Sequence, residues 1–222
     1  MTFGISSPVS SNQGDVHREL VSRVRHHARS LYRRPIASHS KICFDQCAAR
    51  IDAHGGPIIF DSGCGTGEST RILAHTFPSH IVIGIDKSRV RLSQTLGQKL
   101  PNNLYLVRAN CVDFWRLASA ANWSIERHYL LYPNPWPKAK HLQRRWHGHP
   151  VFSSLVALGG CLELRSNWEI YVREFALALQ TLGFASCGPS RYVPDDPVSP
   201  FERKYDASEH RIYRLTSRLA NA

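Results

Sequence analysis

The hydrophobic positions of this chain follow two periods in turn, and their alternation predicts an α/β fold. Short apolar runs, which predict buried strands, occupy residues 58–60, 81–86, 104–107, 128–132 and 161–164. Apolar positions at helical spacing follow over residues 68–77, 88–97, 113–121, 150–158 and 168–182. Regular alternation of strands with helices is typical of a mostly parallel sheet covered by helices on both faces.

The N-terminal part of the chain precedes this alternation. Residues 1–14 are polar and contain Ser, Gly and Pro, which favours a disordered tail. We predict a single domain over residues 15–222, in which residues 15–55 form basic helices and residues 57–218 form the core. The arginines of the first helix are equally consistent with a solvated face and with a surface that contacts a polyanion. The two helices are expected over residues 15–34 and 42–53.

The pattern changes again after Phe184. Residues 192–200 are rich in Pro and Asp and predict a loop. Residues 210–215 alternate in the manner of a terminal antiparallel strand. No internal repeat is visible, so we expect one sheet in one domain.

The net charge points to a polyanionic partner. The 28 Lys and Arg against 17 Asp and Glu give a formal net charge of +11, which favours nucleic acid first and an anionic membrane surface second. No apolar run approaches the ~20 residues that span a bilayer, and the first residues lack the pattern of a signal peptide. The six cysteines contain no CxxC pair, so we predict a cytoplasmic protein with reduced thiols and no metal site.

The most unusual stretch is YPNPWPKAKHLQRR, at residues 132–145, which follows the predicted strand over residues 128–132. Its three prolines cannot continue a central strand, so the chain must leave the sheet in a stiff loop. Asn134 and Trp136 are thereby placed at the carboxyl end of a strand, where open α/β sheets bind ligands. The cations that follow are suited to phosphates: Lys138, Lys140, Arg144 and Arg145.

A glycine-rich turn lies between an earlier strand and helix. Gly63, Gly65 and Gly67 permit positive φ and let a ligand approach the backbone, although this spacing is not the dinucleotide fingerprint. Asp86 ends the next strand, about 20 residues later, where a carboxylate can accept both hydroxyls of a ribose. The pairing of a glycine turn with this acid predicts a nucleoside-containing cofactor.

These motifs resemble those of class I S-adenosylmethionine (SAM) methyltransferases, and more closely those of the tRNA (guanine-N7)-methyltransferase family. DSGCGTGEST resembles the cofactor loop of that family, and GID at residues 84–86 resembles its ribose-binding strand end. YPNPWPKAKHLQRR is similar to the family's P-D-P-W signature with its basic residues. GGCLELRSNWEIY, YVP and SPFERK resemble the C-terminal segments. The resemblance runs in order from about residue 61 to residue 215.

The resemblance implies a Rossmann-like class I methyltransferase fold, with a mostly parallel seven-stranded sheet and a C-terminal antiparallel strand. It implies SAM as cofactor and tRNA as partner, with no metal and no membrane; the oligomeric state is not fixed by the sequence, and a monomer is favoured. The cofactor would contact Asp61, Gly63, Gly65, Gly67, Glu68, Asp86, Asn110 and Cys111. The tRNA would contact Trp136, Lys138, His141, Arg144, Arg145, Ser199 and Glu202. Asn134 and Asn167 occupy the catalytic positions beside the target base.

The chain departs from the family at three positions where the family usually has Asp: Asn110, Asn134 and Asn167. Asn110 can still accept a hydrogen bond from the adenine amino group of the cofactor. Guanine N7 carries a lone pair, so the enzyme must align the base and offset its growing positive charge, without removing a proton. An amide aligns but brings no negative charge, which predicts slower chemistry, altered base choice or lost activity.

The sequence leaves three functions open. The first is methylation of tRNA at guanine N7. The second is methylation of an exocyclic amino group, because Asn134-Pro135-Trp136 partly resembles the Asn-Pro-Pro-aromatic loop of amino-methylating enzymes. The third is a non-catalytic tRNA-binding paralogue, for which the missing acids are the main argument.

Overall fold

The computed structural model describes residues 6–95 and 97–219, and within them a seven-stranded sheet has the order β3-β2-β1-β4-β5-β7-β6. The strands are β1 (Ile58–Ser62), β2 (Ile81–Asp86), β3 (Leu104–Arg108), β4 (Arg127–Leu131), β5 (Gly160–Ser166), β6 (Cys187–Tyr192) and β7 (Ile212–Leu219). The first five strands are parallel, and β7 lies antiparallel between β5 and β6. The predicted fold class is confirmed.

Helices cover both faces of this sheet. They are α1 (Leu20–Ala28), α2 (Ser38–His54), α3 (Glu68–Thr76), α4 (Arg89–Leu92), α5 (Cys111–Ala120), α6 (Phe152–Ala157), α7 (Glu169–Thr181) and α8 (Pro200–Ala207). Neighbouring residues of β1 point to opposite faces: Ile59 packs with Leu73 of α3, and Phe60 packs with Phe114 of α5. Every residue of β1 and β2 is buried, as expected for parallel strands between two helical layers.

One strand and one α-helix of the structure were not placed from the sequence. Strand β6 replaces part of the expected irregular C-terminal region; it is exposed and contains Gly188 and Pro189, so it lacks the apolar alternation that marks a strand. Helix α8 begins inside the segment expected to be a loop. Ser199 caps it and Pro200 occupies its first turn, which is a helix-start signal that the composition of the segment obscured.

Some predicted helices are shorter in the structure. The first, expected over residues 15–34, is α1 (Leu20–Ala28), and residues 31–37 have no regular secondary structure. The one expected over residues 88–97 is α4 followed by a 3-10 turn at Ser93–Thr95. Among the described residues, no helix combines the length and hydrophobicity that crossing a bilayer requires.

The segment before α1 makes specific contacts. Ser11 Oγ donates to the Pro137 carbonyl at 2.6 Å, and Gln13 Nε2 donates to Glu174 Oε1 at 2.7 Å. The Ser6 backbone N–H donates to Ser208 Oγ at 3.0 Å. The expectation of a disordered tail therefore does not describe residues 6–14, and residues 1–5 lie outside the described residues.

Candidate active site

The candidate site lies where the strand order reverses. Strands β1 and β4 are neighbours in the sheet, yet the chain passes from β1 to β2 and β3 before it returns to β4. In parallel sheets, the loops at the carboxyl ends separate at such a point and leave a crevice. The glycine turn follows β1 and the proline-rich loop follows β4, so the fold brings the two main sequence motifs side by side.

The glycine turn is held by hydrogen bonds from its backbone to strand β2. Gly63 N–H and Cys64 N–H both donate to the Ile85 carbonyl, at 2.7 and 3.2 Å. Gly63 and Gly65 have φ of 81° and 61°, and a Cβ built on either would meet no atom within 4 Å. The backbone therefore faces open space at these positions, and the missing side chains leave it accessible to a ligand.

Asp61 and Cys111, both expected to contact the cofactor, are buried. The Asp61 carboxylate accepts hydrogen bonds from Ser69 Oγ at 2.6 Å and Thr70 Oγ1 at 2.7 Å, on the helix that follows the glycine turn. Burial raises the pKa of Asp61 to about 6, although both hydroxyl groups lower it. Burial also raises the pKa of the Cys111 thiol to about 12, which keeps it neutral near pH 7. Asp61 thus fastens the helix to β1 from inside the protein.

Asp86 connects the end of β2 to the glycine turn. Its Oδ2 accepts the Gly65 N–H at 3.0 Å, and its Oδ1 accepts the Ser88 N–H at 2.7 Å. The same Oδ1 accepts a hydrogen bond from Arg91 Nη2 at 2.9 Å, and the Arg91 side chain is 43% exposed. A ligand hydroxyl can replace this exposed guanidinium without disturbing the two backbone contacts.

The remaining predicted cofactor residues stand at helix starts. Asn110 caps α5, where its Oδ1 accepts the Val112 N–H at 3.0 Å, so its amide N–H groups remain as donors. Glu68 is the first residue of α3, and both of its oxygens accept from the Arg203 guanidinium on α8, one of them at 2.7 Å. Helix α8 is thereby tied to the edge of the glycine turn.

The proline-rich loop contains two left-handed non-glycine residues, Tyr132 and Trp136, with φ of 54° and 45°. Asn134 is exposed, and its Oδ1 accepts the Trp136 backbone N–H at 3.2 Å. This contact shows which of the two terminal atoms of the Asn134 amide is the oxygen, because a backbone N–H can only donate and therefore needs an acceptor. Asn167 follows β5 at the same edge of the sheet, and its Nδ2 lies 3.1 Å from His210 Nδ1.

Two of the residues predicted to contact tRNA, Arg144 and His141, lie against the ring of Trp136. The Arg144 guanidinium lies over the indole ring, 4.8 Å from its centroid, and the His141 ring meets the indole edge-on at 5.6 Å. Lys138 and Arg144 are exposed. This half of the predicted tRNA surface is therefore open to a large polyanion.

Arg145, also predicted to contact tRNA, differs from its neighbour Arg144 because it lies in an enclosed site. Its side chain has 0% exposure and forms an ion pair with Glu174, with Nη1 2.6 Å from Oε2. Its guanidinium also lies over the ring of the buried Trp168, 4.8 Å from the centroid. A fully enclosed guanidinium cannot reach a phosphate.

Ser199 and Glu202, also predicted to contact the substrate, make hydrogen bonds within the protein. Ser199 Oγ accepts the Glu202 N–H at 3.1 Å as the cap of α8. Glu202 is fully buried; its Oε1 accepts from Tyr132 Oη at 2.5 Å and from Arg165 Nη1 at 2.8 Å. Glu202 therefore fastens α8 to the ends of β4 and β5.

Several residues at the site were missed by sequence reasoning: Gln13, Arg165, Glu174, Arg203 and His210. Each acts on a partner far away in sequence; for instance, 161 residues separate Gln13 from Glu174. Only a sequence signal that links distant positions could have found them, because nothing in the local pattern distinguishes them.

The residues present fit a cofactor that contains a nucleoside. The open surface over Gly63 and Gly65 accepts a ligand that a Cβ would obstruct, and the Asp86 carboxylate at the adjacent strand end accepts hydroxyl donors. Within the described part of the chain, no group of three or more His, Cys, Asp or Glu residues is arranged to hold a metal ion.

Comparisons with known proteins agree with this geometry. Residues 55–215 match the profile of a family described as putative methyltransferases. The tRNA (guanine-N(7)-)-methyltransferase of Nocardioides sp. is 32% identical over 186 residues, which cover 81% of this chain and 71% of the relative. The enzyme of the same description from Anaeromyxobacter dehalogenans is 30% identical, over 75% of this chain and 88% of the relative.

Solved structures share the fold at lower identity. An antibiotic-related methyltransferase superposes with a TM-score of 0.60 at 13% identity, over 87% of this chain and 98% of that one. A 16S rRNA (adenine(1408)-N(1))-methyltransferase from Catenulisporales acidiphilia, solved with its cosubstrate SAM, gives 0.56 at 18% identity, over 78% and 91%. Because the family profile and the more similar relatives span both the glycine turn and the proline-rich loop, the chain belongs to the tRNA (guanine-N(7)-)-methyltransferase family.

Proposed function

We propose that this protein transfers a methyl group from SAM to N7 of a guanine in tRNA. The observation that carries the proposal is the match to enzymes of that description along most of their length. It is supported by the adjacency of an open glycine turn and an exposed cationic loop at the reversal of strand order. We also propose that it works as a monomer in the cytoplasm, where tRNA is available.

On this proposal, the glycine turn and the strand ends hold the cofactor. SAM supplies a methyl group on a positively charged sulfonium sulfur. The backbone at Gly63 and Gly65 provides a surface without side chains, and Asp86 accepts ribose hydroxyls where the exposed Arg91 now lies. Asn110 presents amide donors and an oxygen at the next strand end. These groups orient the donor, and none of them has to exchange a proton.

The opposite wall of the crevice aligns the guanine. Guanine N7 carries a free lone pair toward the methyl group that SAM would supply, so the residues of this wall would have to align the base and no general base would be needed. Asn134 and Asn167 act as aligning amides, which is sufficient for this reaction. The cost of replacing a carboxylate is the loss of a negative charge near the purine, where positive charge grows.

The contact made by Asn134 favours N7 over an exocyclic amino group. Amino-methylating loops use the Asn oxygen to accept an amino N–H of the substrate. Here that oxygen already accepts the Trp136 N–H at 3.2 Å, and the carbonyl of residue 136, where the amino-methylating loop has its second proline, already accepts two hydrogen bonds from Arg145 at 3.2 and 3.1 Å. This argues against the second function considered from the sequence.

The tRNA is held by the exposed part of the cationic loop. Lys138, Lys140 and Arg144 are exposed and lie within seven residues of one another, so they can contact adjacent phosphates. Trp136, half-buried between Arg144 and His141, offers a ring edge beside Asn134. Arg145 takes no part in this surface, because it is enclosed.

Incubation with labelled SAM and unmodified tRNA, followed by digestion and identification of the methylated nucleoside, tests the proposal. We expect N7-methylguanosine in the wild type and none in Asp86→Ala, with Asp52→Ala as a control for loss of a surface carboxylate on α2. A methylated amino group would establish the second function instead. Binding of tRNA without any incorporated label would establish the non-catalytic paralogue.

A further inference from the structure

The enclosed Arg145 contacts the backbone of the proline-rich loop. Its Nε donates to the Trp136 carbonyl at 3.2 Å, and its Nη2 donates to the same carbonyl at 3.1 Å. Nη2 is also 3.3 Å from the Lys138 carbonyl and 3.0 Å from Gln13 Oε1. The planar fork of a guanidinium makes such parallel contacts with little freedom of orientation.

Glu174, in the middle of α7, fixes the orientation of that guanidinium. Its Oε2 accepts from Arg145 Nη1 at 2.6 Å and lies 2.8 Å from His147 Nε2, while its Oε1 accepts from Gln13 Nε2 and the His17 N–H. Burial raises the pKa of Glu174, but His147 and Arg145 outweigh it and bring the pKa to about 2. The carboxylate therefore stays charged at every pH at which the protein is expected to work.

Both backbone polar groups of Trp136 are hydrogen-bonded. Its N–H donates to Asn134 Oδ1, and its carbonyl accepts two hydrogen bonds from Arg145. Its φ of 45° is unfavourable for a residue with a bulky side chain, and such a conformation persists only where surrounding contacts determine it. A continuous set of contacts thus runs from Glu174 through Arg145 and Trp136 to Asn134.

We propose that Glu174 and Arg145 are positioning residues for methyl transfer, which set the conformation of Trp136 and through it the placement of Asn134 at the target base. This inference rests on the proposed function for its catalytic consequence. Both side chains are fully enclosed, so neither is available to contact the base, the cofactor or the tRNA. Loss of the pair should therefore impair alignment of the base, while the binding of SAM and tRNA is preserved.

Glu174→Gln and Arg145→Lys test the proposal, because both conserve size and retain some hydrogen bonding in the enclosed site. We expect kcat to fall by about 100-fold, as for a small misplacement of an aligned group. The Kd for SAM by calorimetry and the Kd for tRNA should each stay within about threefold, since the cofactor residues lie on the other wall and Arg145 contacts the backbone of Lys138, not its charged group. A fall in tRNA affinity that matched the fall in kcat would overturn the proposal in favour of a phosphate-binding Arg145.

Asp113→Asn is the matched control for a buried carboxylate. Asp113 Oδ2 accepts hydrogen bonds from Ser40 Oγ at 3.0 Å and from the Ala37 N–H at 3.3 Å, away from the proline-rich loop. We expect this variant to lower the melting temperature and to keep kcat. If Glu174→Gln also keeps kcat where it remains folded, the pair is structural and the proposal is wrong.

Chemical rescue gives a readout that a general loss of stability would not give. Arg145→Gly leaves a space shaped for a guanidinium beside a buried carboxylate, and free guanidinium at concentrations below those that unfold the protein should restore part of kcat. Arg144→Gly, the exposed neighbour, should show no rescue. Equal responses of the two variants would contradict the proposal.

Limited trypsin digestion separates failure of this inference from failure of the proposed function. The loop contains Lys138, Lys140 and Arg144, so release of Trp136 should accelerate cleavage there in Arg145→Lys and Glu174→Gln, but not in Asp113→Asn. This result is independent of any methylation. Unchanged cleavage would overturn the positioning role even if the wild type proved active.

Discussion

The two walls of the crevice are stabilised in different ways. The cofactor wall relies largely on contacts between residues at most 21 positions apart, Asp61 with Ser69 and Thr70 and Asp86 with Gly65 and Ser88, although Glu68 also pairs with Arg203, 135 positions away. The target wall depends on partners much farther away, such as Glu202 for Tyr132, 70 residues apart, and His210 for Asn167, 43 residues apart. The conformation of the cofactor wall therefore depends more on contacts between nearby residues, and that of the target wall depends more on contacts between distant elements.

Helix α8 joins the two walls through adjacent residues. Glu202 accepts from Tyr132 and Arg165 on the target side, and Arg203 pairs with Glu68 beside the glycine turn. Most of the other side-chain contacts described above join residues of the same wall. Variants on each wall should therefore separate cofactor binding from substrate binding.

The largest expected effect is on the cofactor wall. Asp86→Ala removes both the acceptor for ribose hydroxyls and the acceptor of the Gly65 N–H, so we expect SAM to bind more than 100-fold more weakly. Calorimetry measures this change, and a filter-binding assay should show tRNA affinity unchanged. Parallel loss of both affinities would show that the walls are not independent.

The next effect is on the target wall. Lys138→Ala with Arg144→Ala should weaken tRNA binding by about 30-fold at low salt and lower the slope of log Kd against log salt by about 2. Lys99→Ala with Arg218→Ala removes the same charge from exposed positions elsewhere. The SAM affinity of both double variants should equal that of the wild type. A similar loss in the control pair would mean that net charge alone binds tRNA.

A histidine at the boundary of the two walls should make stability depend on pH. His128 lies on β4 beside β1, with Nε2 2.8 Å from Ser62 Oγ, and burial lowers its pKa from 6.5 to about 3. Between these values the unfolded chain takes up a proton that the folded chain does not, so stability is full above pH 6.5 and falls by about 1.4 kcal/mol per pH unit below it.

Denaturant unfolding of wild type and His128→Gln between pH 7 and 5 measures this contribution, with the exposed His75→Gln as control. Asp61 acts in the opposite sense below about pH 6, because its raised pKa lets the folded state bind the extra proton. The histidine effect must therefore be taken from the difference between variants. Parallel curves for wild type and His128→Gln would show that His128 titrates normally.

The smallest expected effect is an increase in kcat. Asn134→Asp keeps an oxygen for the Trp136 N–H and adds a negative charge where the purine becomes positive, so we expect kcat to rise about fivefold. Single-turnover rates at saturating SAM and tRNA measure this change. A decrease would indicate that the amide donor of Asn134, and not only its oxygen, contacts the base.

The features that were predicted best from the sequence are those that depend on residues adjacent along the chain. Strand β2 was predicted at its observed bounds because its apolar run is uninterrupted and ends at Asp86. The glycine turn was identified because glycine is required at its positive φ angles. Both signals are confined to a few residues, so they survive without knowledge of the fold.

Arg144 and Arg145 illustrate what the sequence could not provide. They are the same residue type in adjacent positions of one basic run, yet one is exposed over Trp136 and the other is enclosed against Glu174. Contacts with residues distant in sequence, such as Glu174 on α7 and Gln13, distinguish them. Strand β6 was missed for a related reason: its polar residues are placed by pairing with β7, not by their own periodicity.

The stacking of Arg144 on Trp136 gives the protein a natural optical reporter. Indole emission responds to the electric field around the ring, and a guanidinium 4.8 Å from the ring centroid is a major source of that field. When a phosphate draws Arg144 aside, the emission of Trp136 should change. The difference between wild type and Trp136→Phe separates this signal from those of the other four tryptophans, so arrival of tRNA can be timed without any attached dye.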